Sequence, residues 1–167
     1  MKRFGSKILW QAIKVAGIGA AMMLSVNASN AQSGPFAGFD GLWSGTGTVS
    51  LSDGTTERIR CRASYKIDGS GSGLQQTLRC ASDSYKFDLS SNVTSQGDRI
   101  VGTWSEASRN INGNLQGKAG GGRIDVFVEA AGFAANLTLL TRGNKQSVSI
   151  DSKGEIRGVS INMVRGS

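Results

Sequence analysis

The residue types that carry most enzyme chemistry are scarce in this chain. It has no histidine and only two cysteines, Cys61 and Cys80. Without histidine there is no Ser-His-Asp or Cys-His arrangement to activate a nucleophile, and the usual zinc and copper ligand sets cannot be assembled. The cysteines stand nineteen positions apart, so they form no Cys-x-x-Cys redox centre. Asp68, Asp83 and Asp98 fall at turn positions, where aspartate commonly caps the backbone. Glu106 follows Trp104 by two residues and shares its strand face. If that face is inward, Glu106 is a candidate general acid or ligand-binding carboxylate; a solvated place near a barrel mouth is the plainer alternative. Gly120-Gly121-Gly122 precedes neither Lys-Ser/Thr nor a helix start, so it is no phosphate loop. These residues predict a protein that is not an enzyme and carries no metal and no cofactor.

The cysteines read instead as a staple in a β-hairpin. Ile59, Cys61, Ala63, Tyr65 and Ile67 alternate with Arg58, Arg60, Arg62, Ser64 and Lys66, the period of a strand with one buried face. Beyond the Gly/Ser turn, Leu74, Gln76, Leu78 and Cys80 share a face. Setting Cys61 opposite Cys80 brings Ala63 to Leu78, Tyr65 to Gln76 and Ile67 to Leu74, with Asp68 to Gly73 as the loop. A slip of one residue would put the cysteines on opposite faces, so register and disulfide support each other. Two independent buried thiols are the alternative. On the outer face Arg62 then lies opposite Arg79, with Arg58, Arg60 and Lys66 beside them. Directly opposed like charges are mildly destabilising, and this basic patch is a candidate surface for an anionic envelope component. A solvated outer face is the competing reading.

Residues 1–31 have the pattern of a secretory signal peptide. Lys2, Arg3, Lys7 and Lys14 precede an apolar run over Val15–Val26, and cleavage is expected after Ala31 or Ala28. The segment is expected to be helical and is short for a bilayer span. The chain is therefore expected in the periplasm or outside the cell, where a disulfide persists. Four of the 19 basic residues lie in the leader, which leaves 15 against 12 acidic ones. That mild excess gives no argument for nucleic acid.

Residues 32–40 are expected to form a flexible lead-in and 41–167 one domain. Strand patterns recur at short intervals, separated by turns such as Ser52-Asp53-Gly54, Gln96-Gly97-Asp98 and Gly143-Asn144. The prediction is an all-β, antiparallel up-and-down meander of eight to ten short strands. Closure into a barrel disposes of its edges; an open β-sandwich is the runner-up.

Gly41-Leu42-Trp43 resembles the Gly-x-Trp of lipocalins and their calycin relatives. That resemblance implies a barrel plugged at one end by tryptophan under a late basic residue, here Arg157 or Arg165. Gly102-Thr103-Trp104 repeats the motif and makes Trp104 a second candidate plug. The start Trp43-Ser44-Gly45-Thr46-Gly47, the spaced cysteines and Ser84–Leu89 together resemble a group of small secreted alpha-proteobacterial proteins, which implies export. Small inward residues, Gly45, Gly47, Gly102 and Gly113, either leave interior space or let the walls collapse. The expected function is binding of a small apolar or amphipathic ligand inside a barrel. The alternative is an envelope interaction through the basic face. An outer-membrane barrel is disfavoured by the few aromatics and by the chain end Val164-Arg165-Gly166-Ser167.

Overall fold

A computed structural model describes residues 33–166; the signal peptide expected over 1–31, with its helix, lies outside the described residues. Ten strands follow one another: β1 Gly41–Leu51, β2 Thr56–Ile67, β3 Gly73–Ala81, β4 Lys86–Gln96, β5 Arg99–Glu106, β6 Ile111–Gly120, β7 Arg123–Ala130, β8 Phe133–Arg142, β9 Lys145–Ser152 and β10 Ile156–Arg165. Each pairs antiparallel with the next, and β10 pairs back onto β1, so the meander closes into a barrel. Closure gives every strand two neighbours, which a sandwich would not. Glycines in the left-handed region make the turns possible, as at Gly54 (φ 87) and Gly143 (φ 59).

The Cys61–Cys80 hairpin has the expected register: Cys61 opposite Cys80, Ala63 opposite Leu78, Tyr65 opposite Gln76 and Ile67 opposite Leu74. Cys61 and Cys80 form a disulfide. Alternation is less legible in β4. The sequence marks it only by Tyr85, Phe87 and Leu89, yet the strand continues to Gln96, with Ser91 and Val93 buried. A serine at an inward position breaks the apolar signal without breaking the strand.

The inward glycines do not provide empty space. A Cβ at Gly45 would collide with the backbone at Asn162, and one at Gly47 with the backbone at Ser160. These positions let β1 and β10 approach closely where the sheet coils. Gly113 makes room for the Trp104 indole, its cross-strand partner.

Outward positions are mostly polar, and among the described residues the exposed large hydrophobic ones are Leu42, Val101, Phe127 and Val164. Apolar inside and polar outside is the reverse of a barrel whose outer wall meets lipid. Among the described residues no helix is long and apolar enough to cross a membrane.

Candidate functional site

The two ends of the barrel differ. One end is shut by the segment leading into β1, which is packed and not loose: Phe36 and Phe39 are fully buried. Hydrogen bonds hold it. Trp43 Nε1 donates to the Phe39 carbonyl at 2.8 Å, and Asp40 Oδ1 accepts the Ile67 N–H at 3.2 Å. The Arg165 guanidinium lies 4.6 Å from the centre of the Trp43 ring and donates to the Gly38 carbonyl. Arg157, the other candidate for that place, bonds the Lys153 carbonyl instead.

Trp104 stands at the opposite end. Odd-numbered strands run in the same direction, and Trp43 is near the start of β1 while Trp104 is near the end of β5. Trp104 is half-buried and meets Phe133 edge-on, with ring centres 5.7 Å apart. Here the barrel opens into a cavity of ≈380 Å³. Such a volume lies within the range of small-molecule sites, about 300–1,000 Å³. Tyr85 and Phe87 stack at the mouth, 6.2 Å apart, and the Arg109 guanidinium sits 5.2 Å over Phe87. Deeper, the wall is mainly aliphatic, with Leu78, Leu115, Val126 and Leu139.

Glu106 is inward and buried, and its carboxylate is occupied. It accepts the backbone N–H groups of Asp88 (3.0 Å), Ser108 (3.1 Å) and Arg109 (2.7 Å), and pairs with the Arg109 guanidinium at 3.6 Å. Burial alone would raise its pKa; the hydrogen bonds outweigh burial and hold it below the ordinary 4.5. A depressed carboxylate stabilises the fold above its ordinary pKa, and that contribution is lost as pH falls through the folded value. Glu106→Gln is expected to cost about 2 kcal/mol at neutral pH, the worth of hydrogen bonds to a charged group. It should also flatten the decline in stability below pH 4.5. Urea unfolding across the acid range measures both. Glu106 anchors the β5–β6 turn and is no free acid.

The basic patch lies on the outer wall, away from the cavity. Arg58, Arg60, Arg62, Lys66 and Arg79 are all exposed, and Arg62 faces Arg79. Arg79 also faces Asp88 of β4, and the two form an ion pair at 3.2 Å. Asp88 was not singled out in the sequence because the register of β3 on β4 depends on a turn with no marked signature. Among the described residues no cluster of three or more metal-ligating side chains occurs.

The sequence reading also missed a polar group at the closed end. Tyr65 donates its hydroxyl to Gln146 Oε1 at 2.9 Å, and Gln146 Nε2 donates to Thr141 Oγ1 at 2.9 Å. Burial pushes the Tyr65 phenol well above its ordinary range, with hydrogen bonds to Gln76 and Gln146 pulling the other way, so it stays a neutral donor. Gln76 opposite Tyr65 in an otherwise apolar face was the available signal.

No protein-family model matches the chain, and no curated protein matches it in sequence. Solved structures match it in shape. The protein Rv2717c from M. tuberculosis superposes with a TM-score of 0.63 at 12% identity, covering 77% of this chain and 92% of that one. The S-type phycobiliprotein lyase CPES from Guillardia theta superposes with a TM-score of 0.55 at 11% identity, covering 77% and 88%. At these identities the likeness concerns the fold, and it fits a lipocalin-like, calycin-type barrel. It also corrects one expectation. The absence of histidine and of a metal set predicts a non-enzyme, yet a barrel of this shape bears the name of a lyase. A missing set of side chains excludes particular mechanisms; it does not exclude what a barrel can do to a molecule that it binds and orients.

Proposed function

We propose that this chain is an exported binding protein that holds a small apolar or amphipathic ligand inside its barrel. The observation that carries this reading is the cavity: ≈380 Å³, walled by aliphatic and aromatic side chains, closed at the Trp43 end and open beside Trp104. A cavity of this kind lowers the free energy of an apolar molecule by removing it from water. The leader pattern of 1–31 and the Cys61–Cys80 disulfide support a place in the periplasm or outside the cell. The resemblance to small secreted alpha-proteobacterial proteins points the same way.

The test is uptake of the fluorescent probe N-phenyl-1-naphthylamine, with Val126→Trp as the blocked form. Val126 lines the cavity from β7 and is buried. Filling the cavity is expected to weaken probe binding at least about tenfold, a 1.4 kcal/mol effect, while circular dichroism stays that of a β-barrel. Unchanged binding in the blocked form would place the probe outside the barrel and end this reading. The basic outer face supports the envelope reading less far, because Arg79 already has Asp88 as its counter-ion.

A further inference from the structure

One row of the cavity wall is polar. Tyr65 of β2 faces Gln76 of β3, Gln76 faces Ser91 of β4, and Ser91 faces Trp104 of β5. The row runs from the closed end, where Tyr65 meets Phe39 edge-on at 6.1 Å, to the mouth at Trp104. The remaining wall is largely aliphatic, with Val126, Val128, Leu137 and Ile150.

The hydrogen bonds in this row have a direction. Ser91 Oγ donates to Gln76 Oε1 at 2.8 Å. The single hydroxyl hydrogen of Ser91 is thereby used, and its lone pairs are what remains. Ser91 and Gln76 both line the cavity, so a molecule lying against them meets an acceptor. It meets no cation at that depth. Among the described lining residues the cation is Arg109, which sits at the mouth and is committed to Glu106, the Lys86 carbonyl and the Phe87 ring. An anionic group seated at Ser91 would be desolvated without a partner. A carboxylate also has no hydrogen to donate.

We infer that the cavity selects a neutral, elongated apolar molecule carrying a hydroxyl or amide N–H that donates to Ser91 Oγ. This rests on the binding reading above and adds the chemical class of the ligand. Three competitors displace N-phenyl-1-naphthylamine from protein produced from the full-length chain at neutral pH: decan-1-ol, its isomer methyl nonyl ether, and decanoate. The alcohol is expected to bind about fivefold tighter than the isomeric ether, the worth of one hydrogen bond, and decanoate more weakly than either. In Ser91→Ala with Gln76→Met, which removes the acceptor, alcohol and ether should reach parity.

An ether or decanoate that equals the alcohol in the unaltered protein overturns the inference. So does a double variant that folds and keeps the original ratio. If that variant does not fold, the comparison of isomers on the unaltered protein decides alone. A probe that binds while the isomers tie defeats only the hydrogen-bonding claim. A probe that is not taken up defeats the binding reading as well.

Discussion

Trp43→Ala is expected to lower the unfolding free energy by about 4 kcal/mol, while Trp104→Ala costs about 1 kcal/mol. The two residues sit in the same local motif, Gly-x-Trp, and in unlike surroundings. Trp43 is 2% exposed, and its truncation opens a void in the core cluster that it shares with Phe36 and Phe39. It also leaves the Phe39 carbonyl without its indole donor and the Arg165 guanidinium without its ring. Cavity cost and lost partners add in the same direction. Trp104 is half-buried at an open mouth, where solvent can fill what it leaves. Urea unfolding of both variants measures the difference. Equal losses would mean that the two ends of the barrel are alike, and the account of a closed and an open end would have to be abandoned.

Cys61→Ala with Cys80→Ala is expected to cost about 3 kcal/mol, as for a loop of this length in the chain-entropy model. The pair joins β2 to β3 at an inward, buried position, with a sequence separation of 19. The unfolded chain of the double variant explores conformations that the bridge forbids, so the loss should fall chiefly on the unfolded state. Wild-type protein unfolded under reducing conditions should therefore match the double variant unfolded without reductant. A double variant as stable as the oxidised protein would show that register, and not the covalent bond, holds this hairpin. Because Cys80 also lines the cavity, probe binding measured below the unfolding transition separates a change of cavity wall from a change of stability.

Much of this barrel is legible in the amino-acid order. The period-2 alternation of Ile59 to Ile67 and of Leu74 to Cys80 is local, and the two cysteines remove the remaining freedom of register, so that hairpin can be drawn residue by residue. Turn glycines such as Gly54 and Gly143 mark where several strands reverse, but the β3–β4 and β5–β6 turns contain none, so the sequence supports a count of eight to ten and the closed barrel makes it ten. With every connection short, an antiparallel meander is nearly forced.

Tertiary structure decided the rest, because it depends on contacts between residues far apart in the chain. Closure of β10 on β1 chose Arg165 over Arg157 as the cation on Trp43, a choice that no window of sequence contains. Strand direction set Trp43 and Trp104 at opposite ends, although their motifs read alike. The packing of Gly45 and Gly47 against β10 turned apparent interior space into close strand contact. Pairing of β3 on β4 gave Arg79 its counter-ion, and the bend after Glu106 turned a candidate acid into a turn anchor. The polar row from Tyr65 to Ser91 needs three strands in register at once. Composition and periodicity specify which face each residue takes; only the closed barrel specifies what meets it across the interior.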